Sequence, residues 1–312
     1  MKRSFVRFAL STFIACLFVF ANPAARATEV GFIYTSGSVT TLNVPGALLT
    51  DAFGINDSVQ VVGYFEGGAS SLGTPCFVSR CGFIYSNGTF NTLNVPGASG
   101  TFPWGINESA QIVGYYDDAM GYEHGFFYES GTFTNLDYPG AKQTEALGIN
   151  NSGQIVGFFS DQNGSNHGFF YDSGTFTSLD YPATSLTEAY DINDSGQIVG
   201  YYSGSANNYP SFIYSAGTFT TVNLPHGDFL TGINNSGDAV TYLSYAYHAG
   251  TLTSVNIPGF HAPHLVGIND RGQLVGWGEI ASVTGVPEPS SLLLLGSGLV
   301  ALNGMIRRKR RG

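Results

Sequence analysis

The six histidines are the residues with the clearest potential for chemistry, because imidazole is the commonest side-chain metal ligand. His261 and His264 lie close together in the segment FHAPH and form the best pair for a shared ion. His124 and His167 each precede a Gly-Phe-Phe-Tyr phrase. This common position favours a strand-start histidine that is hydrogen-bonded to a neighbouring loop, so we predict no metal ligands.

Oxygen ligands for calcium occur in the segment 161–166, DQNGSN, and in the adjacent pair Asp117 and Asp118. A calcium loop of the EF-hand type ends in a bidentate glutamate, which the segment 161–166 lacks. Asn, Asp and Gly also suit ordinary turns, where their side chains cap the backbone. We favour the turn interpretation, leave calcium as an open alternative and predict no other cofactor.

Catalytic patterns are absent from the sequence. It contains no G-x-S-x-G elbow for a nucleophilic serine. A glycoside hydrolase would need two opposed carboxylates, but Glu145 and Glu188 share a Thr-Glu-Ala repeat position, which favours architecture. The other candidate glutamates are Glu66, Glu108, Glu123 and Glu129. We predict no catalytic residues, although a carboxylate, histidine and tyrosine cluster that breaks the repeat symmetry at a channel mouth would favour an enzyme.

An internal repeat must position these side chains. Its first phrase is Gly-Ile-Asn, followed by a polar turn and a short apolar strand. The six copies lie at 54–56, 105–107, 148–150, 191–193, 232–234 and 267–269, the fourth being Asp-Ile-Asn. Their isoleucines are separated by steps of 51, 43, 43, 41 and 35 residues. The apolar strand after the fifth copy is degenerate.

A second phrase, Gly-Phe-[Ile/Phe]-Tyr followed by a turn and Gly-Thr-Phe-Thr, alternates with the first. It begins at Gly31, Gly82, Gly125, Gly168 and Ser211, and in weaker form at Tyr245. Each unit thus holds four short segments rich in Val, Ile, Phe, Tyr and Thr, separated by turn residues. Four strands per unit of roughly 40 to 50 residues predict an all-β fold, a six-bladed β-propeller of four-stranded blades.

The order of the two phrases suggests how the ring closes. Glycine beside Ile-Asn suits a crowded innermost strand, and the proline that ends the second phrase suits an outer edge. The segments 31–43 and 265–279 would then supply the outer and inner strands of one blade. The opposite phasing leaves the ring unlocked, and a right-handed β-solenoid is the alternative architecture, since a fixed repeat alone does not prove closure.

The repeat resembles the HAF family of extracellular bacterial repeats. The matching segments are ALGIN at 146–150, GQIVG at 153–157 and HGFFY at 167–171. The resemblance extends from Gly31 to Glu279, with departures at DAVT in the fifth unit and at strands that lack the histidine. It implies an exported, propeller-like domain and no defined activity.

The first 27 residues have the pattern of a secretory signal peptide. Basic residues precede an apolar run over 8–21, and Ala25-Arg26-Ala27 offers small residues for cleavage. The run is shorter than the roughly 20 residues that a transmembrane helix needs. We predict cleavage before Thr28, which implies export.

The C-terminal residues 286–312 resemble the PEP-CTERM sorting signal of exported proteins of Gram-negative bacteria. Pro287, Glu288 and Pro289 form a stiff, extended segment. An apolar transmembrane segment follows over 290–306, and a basic cluster acts as a stop-transfer signal. That cluster is Arg307, Arg308, Lys309, Arg310 and Arg311. The resemblance implies an exosortase-like processing enzyme, transient inner-membrane anchoring and a mature protein at the cell surface or outside the cell; an ordinary tail anchor is the alternative.

The domain between these ends, 28–285, is strongly acidic. Only Arg80, Lys142 and Arg271 face 21 acidic residues, so its formal charge is −18. A surface of this sign repels phosphate backbones and anionic lipid heads. We therefore exclude nucleic acid as a partner and expect membrane contact only through the C-terminal tail before processing.

Two cysteines remain after removal of the signal peptide, Cys76 and Cys81, in the segment CFVSRC. An exported protein reaches an oxidising compartment, where the two thiols are able to pair. The loop that such a disulfide closes is short, so its predicted role is to pin one insertion.

We predict a non-enzymatic interaction or structural module associated with extracellular polysaccharide or with surface proteins, because exosortase systems accompany exopolysaccharide production in the resembled proteins. Exposed members of the 18 tyrosines and 24 phenylalanines offer faces on which sugar rings stack. A polysaccharide-acting lyase or hydrolase on the same scaffold is the alternative, because a fold does not fix a function.

Overall fold

The computed structural model describes residues 29–67, 80–204 and 209–280. The predicted signal peptide 1–27, the sorting tail 286–312 with its apolar segment 290–306, and Cys76 lie outside these residues. Apart from a single 3-10 turn at Pro225–Gly227, the regular structure in the described ranges is all β-strand. None of the described residues belongs to a helix with the length and apolarity to cross a bilayer.

Each repeat contributes four strands in the order that the two phrases predict. The first strands, which contain the Gly-Ile-Asn phrase, are β3 (Leu49–Ile55), β7 (Gly100–Ile106), β11 (Gln143–Ile149), β15 (Thr187–Ile192), β19 (Leu230–Ile233) and β23 (Phe260–Ile268). The second strands are β4 (Val61–Glu66), β8 (Ile112–Asp117), β12 (Ile155–Ser160), β16 (Ile198–Tyr202), β20 (Ala239–Thr241) and β24 (Leu274–Ile280). The third strands are β5 (Arg80–Ser86), β9 (Glu123–Glu129), β13 (Asn166–Asp172), β17 (Ser211–Ser215), β21 (Tyr245–His248) and β1 (Glu29–Thr35). The fourth strands are β6 (Thr89–Thr92), β10 (Thr132–Asn135), β14 (Thr175–Ser178), β18 (Thr218–Val222), β22 (Thr251–Ser254) and β2 (Ser38–Leu42).

Hydrogen bonds group these strands into four four-stranded sheets and one eight-stranded sheet in a β-propeller arrangement. The eight-stranded sheet arises because Arg80 of β5 forms one parallel pair with Gly100 of β7. The other strand pairs are antiparallel, unlike the parallel coils of a β-solenoid. One sheet, of order β2-β1-β24-β23, combines strands from both ends of the described chain, with Phe32 opposite Gly276.

The hydrophobic core lies between neighbouring sheets. The phenylalanine of the second phrase is buried at the same position of five third strands, namely Phe32, Phe83, Phe126, Phe169 and Phe212. Val156 of β12, for example, packs in one cluster with Ile192 and Phe212 of the next sheet. Full burial of such side chains stabilises the fold by about 1.5 to 3 kcal/mol each. Both faces of a sheet are therefore covered, as the apolar residues on both sides of each strand predict.

Candidate ligand-binding site at the aromatic mouth

The first strands of consecutive repeats contact one another, and β23 contacts β3 in the same way. Each of these strands contains a register shift two residues before the isoleucine of Gly-Ile-Asn. A β-bulge re-aims the extra residue. The six re-aimed residues line a central cavity, and they are Phe53, Trp104, Leu147, Tyr190, Thr231 and Val266.

Glycines make the bulges sterically possible. A Cβ atom on Gly157 of β12 would lie 2.0 Å from the carbonyl oxygen of Glu145 in the paired first strand, and Gly200 has the same contact with Glu188. The glycine of Gly-Ile-Asn is crowded by the next repeat, since a Cβ atom on Gly54 would lie 2.4 Å from the carbonyl oxygen of Trp104. The crowding that the sequence predicts around the strand of the Gly-Ile-Asn phrase is thus confirmed.

At one end of the central cavity, the asparagines of the first phrase form what we call the inner ring: Asn56, Asn107, Asn150, Asn193, Asn234 and Asn269. Each Nδ2 donates to the backbone carbonyl of the next asparagine at 3.0 to 3.3 Å, and Asn269 donates to Asn56. All six side chains are buried. The hydrogen bonds form a closed cycle that satisfies backbone carbonyls next to the cavity.

The next residue of each repeat forms an exposed outer ring: Asp57, Glu108, Asn151, Asp194, Asn235 and Asp270. The side-chain oxygen of each accepts the backbone N–H of its neighbour at 2.5 to 3.0 Å, again in a closed cycle. Each of these side chains is thus already used as a hydrogen-bond acceptor within the fold. The ring on its own therefore does not define a ligand site.

The fourth repeat departs from glycine at Asp191, which lies beside the central cavity. Its Oδ1 accepts the N–H of Ile192, and its Oδ2 accepts the N–H of Ile233 in the following repeat. Burial raises the pKa of Asp191 to about 7, although both hydrogen bonds favour the ionised form. The carboxylate replaces a packing glycine with a bridge between neighbouring first strands.

The opposite end of the first strands opens into a second cavity of about 260 Å³, which we call the aromatic mouth. Its wall combines many aromatic rings with one carboxylate and one guanidinium. The lining residues are Asp51, Phe53, Tyr64, Arg80, Phe102, Trp104, Tyr115, Tyr190, Phe229, Thr231, Tyr242, Val266 and Trp277. Phe53 stacks on Trp104 with ring centroids 4.1 Å apart, and Trp104 meets Tyr190 edge-on at 6.3 Å.

Two columns of residues from the repeats build this mouth. One column lies on the second strands, or directly after the strand in the fifth repeat, and is aromatic throughout: Tyr64, Tyr115, Phe158, Tyr201, Tyr242 and Trp277. The other lies opposite it on the first strands and varies: Asp51, Phe102, Glu145, Glu188, Phe229 and His264. The varied column breaks the repeat symmetry with carboxylates and a histidine. The predicted mark of an enzyme was a single cluster of carboxylate, histidine and tyrosine at a channel mouth, and of the carboxylates and histidine in this column only Asp51 lines the mouth.

Asp51 is the most unusual side chain in the aromatic mouth. It is 5% exposed, and its Oδ1 has no hydrogen-bond partner among the described residues. Burial, followed by the charge of Glu29, raises the pKa of Asp51 to about 7, while a hydrogen bond to Tyr64 opposes the shift. A carboxyl group in this state is able to give or take a proton near neutral pH.

The equivalent carboxyl groups of the third and fourth repeats, Glu145 and Glu188, have hydrogen-bond partners. Glu188 is buried and accepts hydrogen bonds from Tyr201 Oη at 2.6 Å and from Asn166 Nδ2 at 2.7 Å. Burial, followed by the charge of Glu123, raises the pKa of Glu145 well above its usual range. The shared Thr-Glu-Ala position thus places two acidic groups close to the mouth. The hydrogen bonds of Glu188 hold its side chain in one orientation.

Arg80 is the one Lys or Arg that lines the mouth in the described part of the chain. Its Nε donates to Glu66 Oε1 at 2.8 Å, and its guanidinium carbon lies 5.7 Å from the centroid of the Phe102 ring. Glu66 therefore already neutralises much of its charge. Cys81, the next residue, is disulfide-bonded; Cys76, its predicted partner, lies outside the described residues.

The predicted histidine positions separate into two environments. His264 stacks between Tyr242 and Trp277, with centroid distances of 4.1 and 4.2 Å, whereas His261 is exposed on the same strand. His124 Nδ1 contacts Asp137 Oδ2 at 2.9 Å, and His167 Nδ1 contacts Asp180 Oδ1 at 3.1 Å, as expected for strand-start histidines bonded to a loop. No group of three potential metal ligands occurs among the described residues.

The candidate calcium segments form hydrogen-bonded turns. Asp161 Oδ1 accepts the backbone N–H groups of Asn163 and Ser165, and Asp118 Oδ1 accepts those of Met120 and Tyr122. These are the backbone-capping contacts that the turn interpretation predicts.

Sequence reasoning missed Asp51, Arg80 and the aromatic column as parts of one site. A usable signal was present: alignment of the six repeats four residues before the isoleucine of the first phrase gives a column of mixed chemistry, next to a column that is threonine in four of the six repeats. Arg80 had no such signal, because it follows the insertion that the other repeats lack.

Comparison with known proteins adds a sorting signal to this architecture. The family model of the PEP-CTERM protein-sorting motif matches residues 285–311, which confirms the predicted motif at this end of the chain. The motif implies processing by an exosortase-like system and export to the cell surface or extracellular space. A search of the curated proteins gave no match to this chain.

Several solved structures are distantly similar. A mutant of AofleA from Arthrobotrys oligospora has 10% identity and a TM-score of 0.46, with 82% of this chain and 84% of that chain covered. A mutant lectin from Aleuria aurantia, in complex with a fucosylated GlcNAc, has 14% identity and a TM-score of 0.44, with coverages of 76% and 96%. TolB from Acinetobacter baumannii has 10% identity and a TM-score of 0.49, with coverages of 81% and 64%.

Proposed function

We propose that this chain is an exported glycan-binding protein of the cell surface or extracellular matrix, and that the aromatic mouth holds its ligand without cleaving it. The observation that carries the proposal is the cavity of about 260 Å³ whose wall joins aromatic rings to the Asp51 carboxyl group, of which Oδ1 has no hydrogen-bond partner among the described residues. Aromatic faces stack on sugar rings, and carboxyl oxygens accept hydrogen bonds from hydroxyl groups.

The size of the cavity limits how much ligand enters. Pockets for whole drug-sized molecules usually occupy about 300 to 1,000 Å³, and the aromatic mouth lies just below that range. We therefore expect it to take one terminal or exposed sugar of a longer chain. Association with an extracellular polysaccharide fits both this geometry and the export that the sorting motif implies.

The scaffold that we infer for this site is a closed propeller of six four-stranded blades. In this interpretation, the eight-stranded sheet is two blades joined by the single Arg80–Gly100 pair, and the sheet shared by both chain ends locks the ring. The two closed hydrogen-bond cycles support the inference, because Asn269 reaches Asn56 and Asp270 reaches Asp57. A fixed scaffold of this kind would hold the aromatic mouth rigid before the ligand arrives.

A glycan array followed by calorimetric titration with purified 28–285 tests the proposal. Trp104→Leu is the informative variant, because Leu147 occupies the same position of the next repeat, so the change keeps an apolar side chain that the scaffold already uses. We expect at least about tenfold weaker binding after loss of the stacking ring. Tyr122→Leu removes an exposed aromatic ring outside the mouth and should leave the affinity unchanged. Absence of binding to any glycan would overturn the proposal.

The second candidate is a polysaccharide lyase or glycoside hydrolase, favoured by the carboxylates and histidine that break the repeat symmetry. With its pKa near 7, Asp51 is suited to general acid or base chemistry. Incubation with glycans found to bind should then yield new reducing ends or unsaturated products, and Asp51→Asn should abolish them. Binding without any product would leave the non-enzymatic module as the function.

A further inference from the structure

We propose that the aromatic mouth selects a cationic sugar, an amino sugar with a free protonated amine, and that the ammonium group pairs with Asp51. This inference rests on the proposed glycan-binding function and names the class of ligand. It is carried by three features: an orphaned carboxyl oxygen in the mouth, acidic groups near that carboxyl group and a wall of electron-rich rings.

The orphaned oxygen is the first feature. Asp51 lines the mouth with a side chain that is almost fully buried, and its Oδ1 has no donor among the described residues. A buried polar atom without a partner is destabilising, so most such atoms in proteins have one. An ammonium group supplies a donor and a compensating charge at once. A neutral hydroxyl group supplies only the donor.

The balance of charge is the second feature. Glu29 and Glu66 act on Asp51 from neighbouring strands. Arg80 is the opposing cation, and its Nε already bonds to Glu66. The acidic groups near Asp51 therefore favour a cation beside this carboxyl group over an anionic sugar such as a uronate.

The aromatic wall is the third feature. Tyr242 and Trp277 line the mouth beside Tyr64, which hydrogen-bonds to Asp51. Tyr242 is close enough for the charge of Asp51 to raise its pKa, after burial as the larger cause. Cations bind favourably over the faces of tyrosine and tryptophan rings, most strongly where water is excluded. The aromatic rings and the Asp51 carboxyl group together are thus suited to bind an ammonium group that is carried on a sugar ring.

Binding should be coupled to proton release. The free protein holds a proton on Asp51 near neutral pH, because burial raises the pKa to about 7. The groups that act on this carboxyl group are Tyr64, Glu29, Glu66 and Arg80, with Tyr242 on the facing wall. At pH 6 most molecules carry the proton, and an incoming ammonium group would displace it.

The test is calorimetric titration at pH 6 with three matched probes: β-1,4-linked hexamers of glucosamine, N-acetylglucosamine and glucose. We expect the glucosamine hexamer to bind at least about tenfold more tightly than either neutral hexamer, as one additional ion pair in a dry site predicts. Repetition in buffers of different ionisation enthalpy should show net proton release for the glucosamine hexamer and none for the neutral hexamers. Addition of salt should weaken binding of the glucosamine hexamer more than that of the neutral hexamers.

Two variants localise the effect. Asp51→Asn should remove both the preference for the amine and the proton release. Asp57→Asn is the matched control at the other end of the first strands, where Asn151 and Asn235 already occupy the equivalent positions. It removes one negative charge and should change neither quantity. If Asp51→Asn does not fold, selectivity and proton release of the unmodified protein decide the question.

The outcomes separate this inference from the proposed function. Equal or tighter binding of a neutral hexamer, or tight binding of the amine without proton release, overturns the inference and leaves glycan binding intact. Binding of other glycans on the array but none of the three hexamers also overturns it. Failure of all glycans to bind overturns both.

Discussion

The two ends of the first strands follow opposite rules. At one end, the inner ring repeats a single residue type, asparagine, in all six positions. At the other end, the equivalent positions hold Asp51, Phe102, Glu145, Glu188, Phe229 and His264. The difference separates the part of the repeat that every unit needs for the fold from the part whose side chains vary between units.

A physical constraint accounts for the uniform end. Each asparagine donates to the carbonyl of the next repeat and accepts N–H groups of its own turn. Replacement of one member leaves buried groups of two repeats without partners. The outer ring is less restricted, because its side chains need only accept, and Asp, Glu and Asn all occur there.

The varied end lacks this constraint. Its side chains stand opposite an aromatic column, and Asp51, Phe102 and Phe229 line an open cavity, so one repeat does not require the same residue as its neighbour. Substitution of a side chain at this end therefore removes few hydrogen bonds to the backbone. The same architecture is therefore compatible with mouths of different chemistry.

The largest effect is expected at the uniform end, from Asn150→Ala. The side chain makes four hydrogen bonds, to Gln154 Oε1, to the carbonyl of Asn193, and from the N–H groups of Ser152 and Gln154. At about 0.5 to 1.5 kcal/mol per bond, the free energy of unfolding should fall by about 4 kcal/mol. Chemical denaturation measures it, and Asn151→Ala in the outer ring is the exposed control. Equal losses in both variants would contradict the distinction between the two rings.

A smaller effect of opposite sign is expected at the varied end, from Asp51→Asn. The unfolded chain releases the Asp51 proton near the ordinary pKa of 3.8, whereas the folded protein retains it until about pH 7. Ionisation thus progressively disfavours the folded state as the pH rises from about 4 to 7. The variant lacks this loss, and linkage limits its advantage above pH 7 to about 4 kcal/mol. An unpartnered amide in the same place offsets part of this, so we expect about 2 kcal/mol.

Urea denaturation at pH 5 and pH 8 checks this second prediction. The stabilisation by Asp51→Asn should be larger at pH 8 than at pH 5. Asp57→Asn in the exposed outer ring should show no comparable change between the two pH values. A destabilised Asp51→Asn variant at pH 8 would show that an ionised Asp51 contributes to the fold.

The contrast between the two ends also determines what the sequence could predict. Repetition of Gly-Ile-Asn and Gly-Phe-x-Tyr predicts the strands, their order in a repeat and the buried phenylalanines, because each depends on local pattern and on burial. The bulge could not be predicted from the pattern. The glycine of the second strand, such as Gly157, accompanies the bulge in most repeats, but a glycine at this place has several explanations. Glycine within a short apolar strand occurs equally where a sheet bends sharply or where a ligand approaches the backbone.

The site was less accessible to sequence reasoning than the fold. Asp51 appears in the sequence as one acidic residue among 22, and its importance arises from burial without a partner, which only the three-dimensional arrangement provides. The Thr-Glu-Ala glutamates were interpreted as architectural because they repeat. Glu188 does have a structural partner in Tyr201, yet it also stands beside the mouth, so repetition and function do not exclude each other.

The smallest effect is expected at His124, in a contact that only two repeats share. Burial lowers its pKa, but the hydrogen bond and charge of Asp137, together with Asp118, outweigh this and raise it on balance. The raised pKa stabilises the fold below the ordinary pKa of 6.5, and the contribution disappears as the pH rises through the folded value. His124→Gln should therefore cost a few tenths of a kcal/mol at pH 5 and nothing at pH 9, as expected for partly exposed ion pairs. Thermal unfolding across this range measures the difference, with exposed His261→Gln as the control. A loss of stability that persists at pH 9 would assign His124 a packing role, like that of the residues at the uniform end of the repeat.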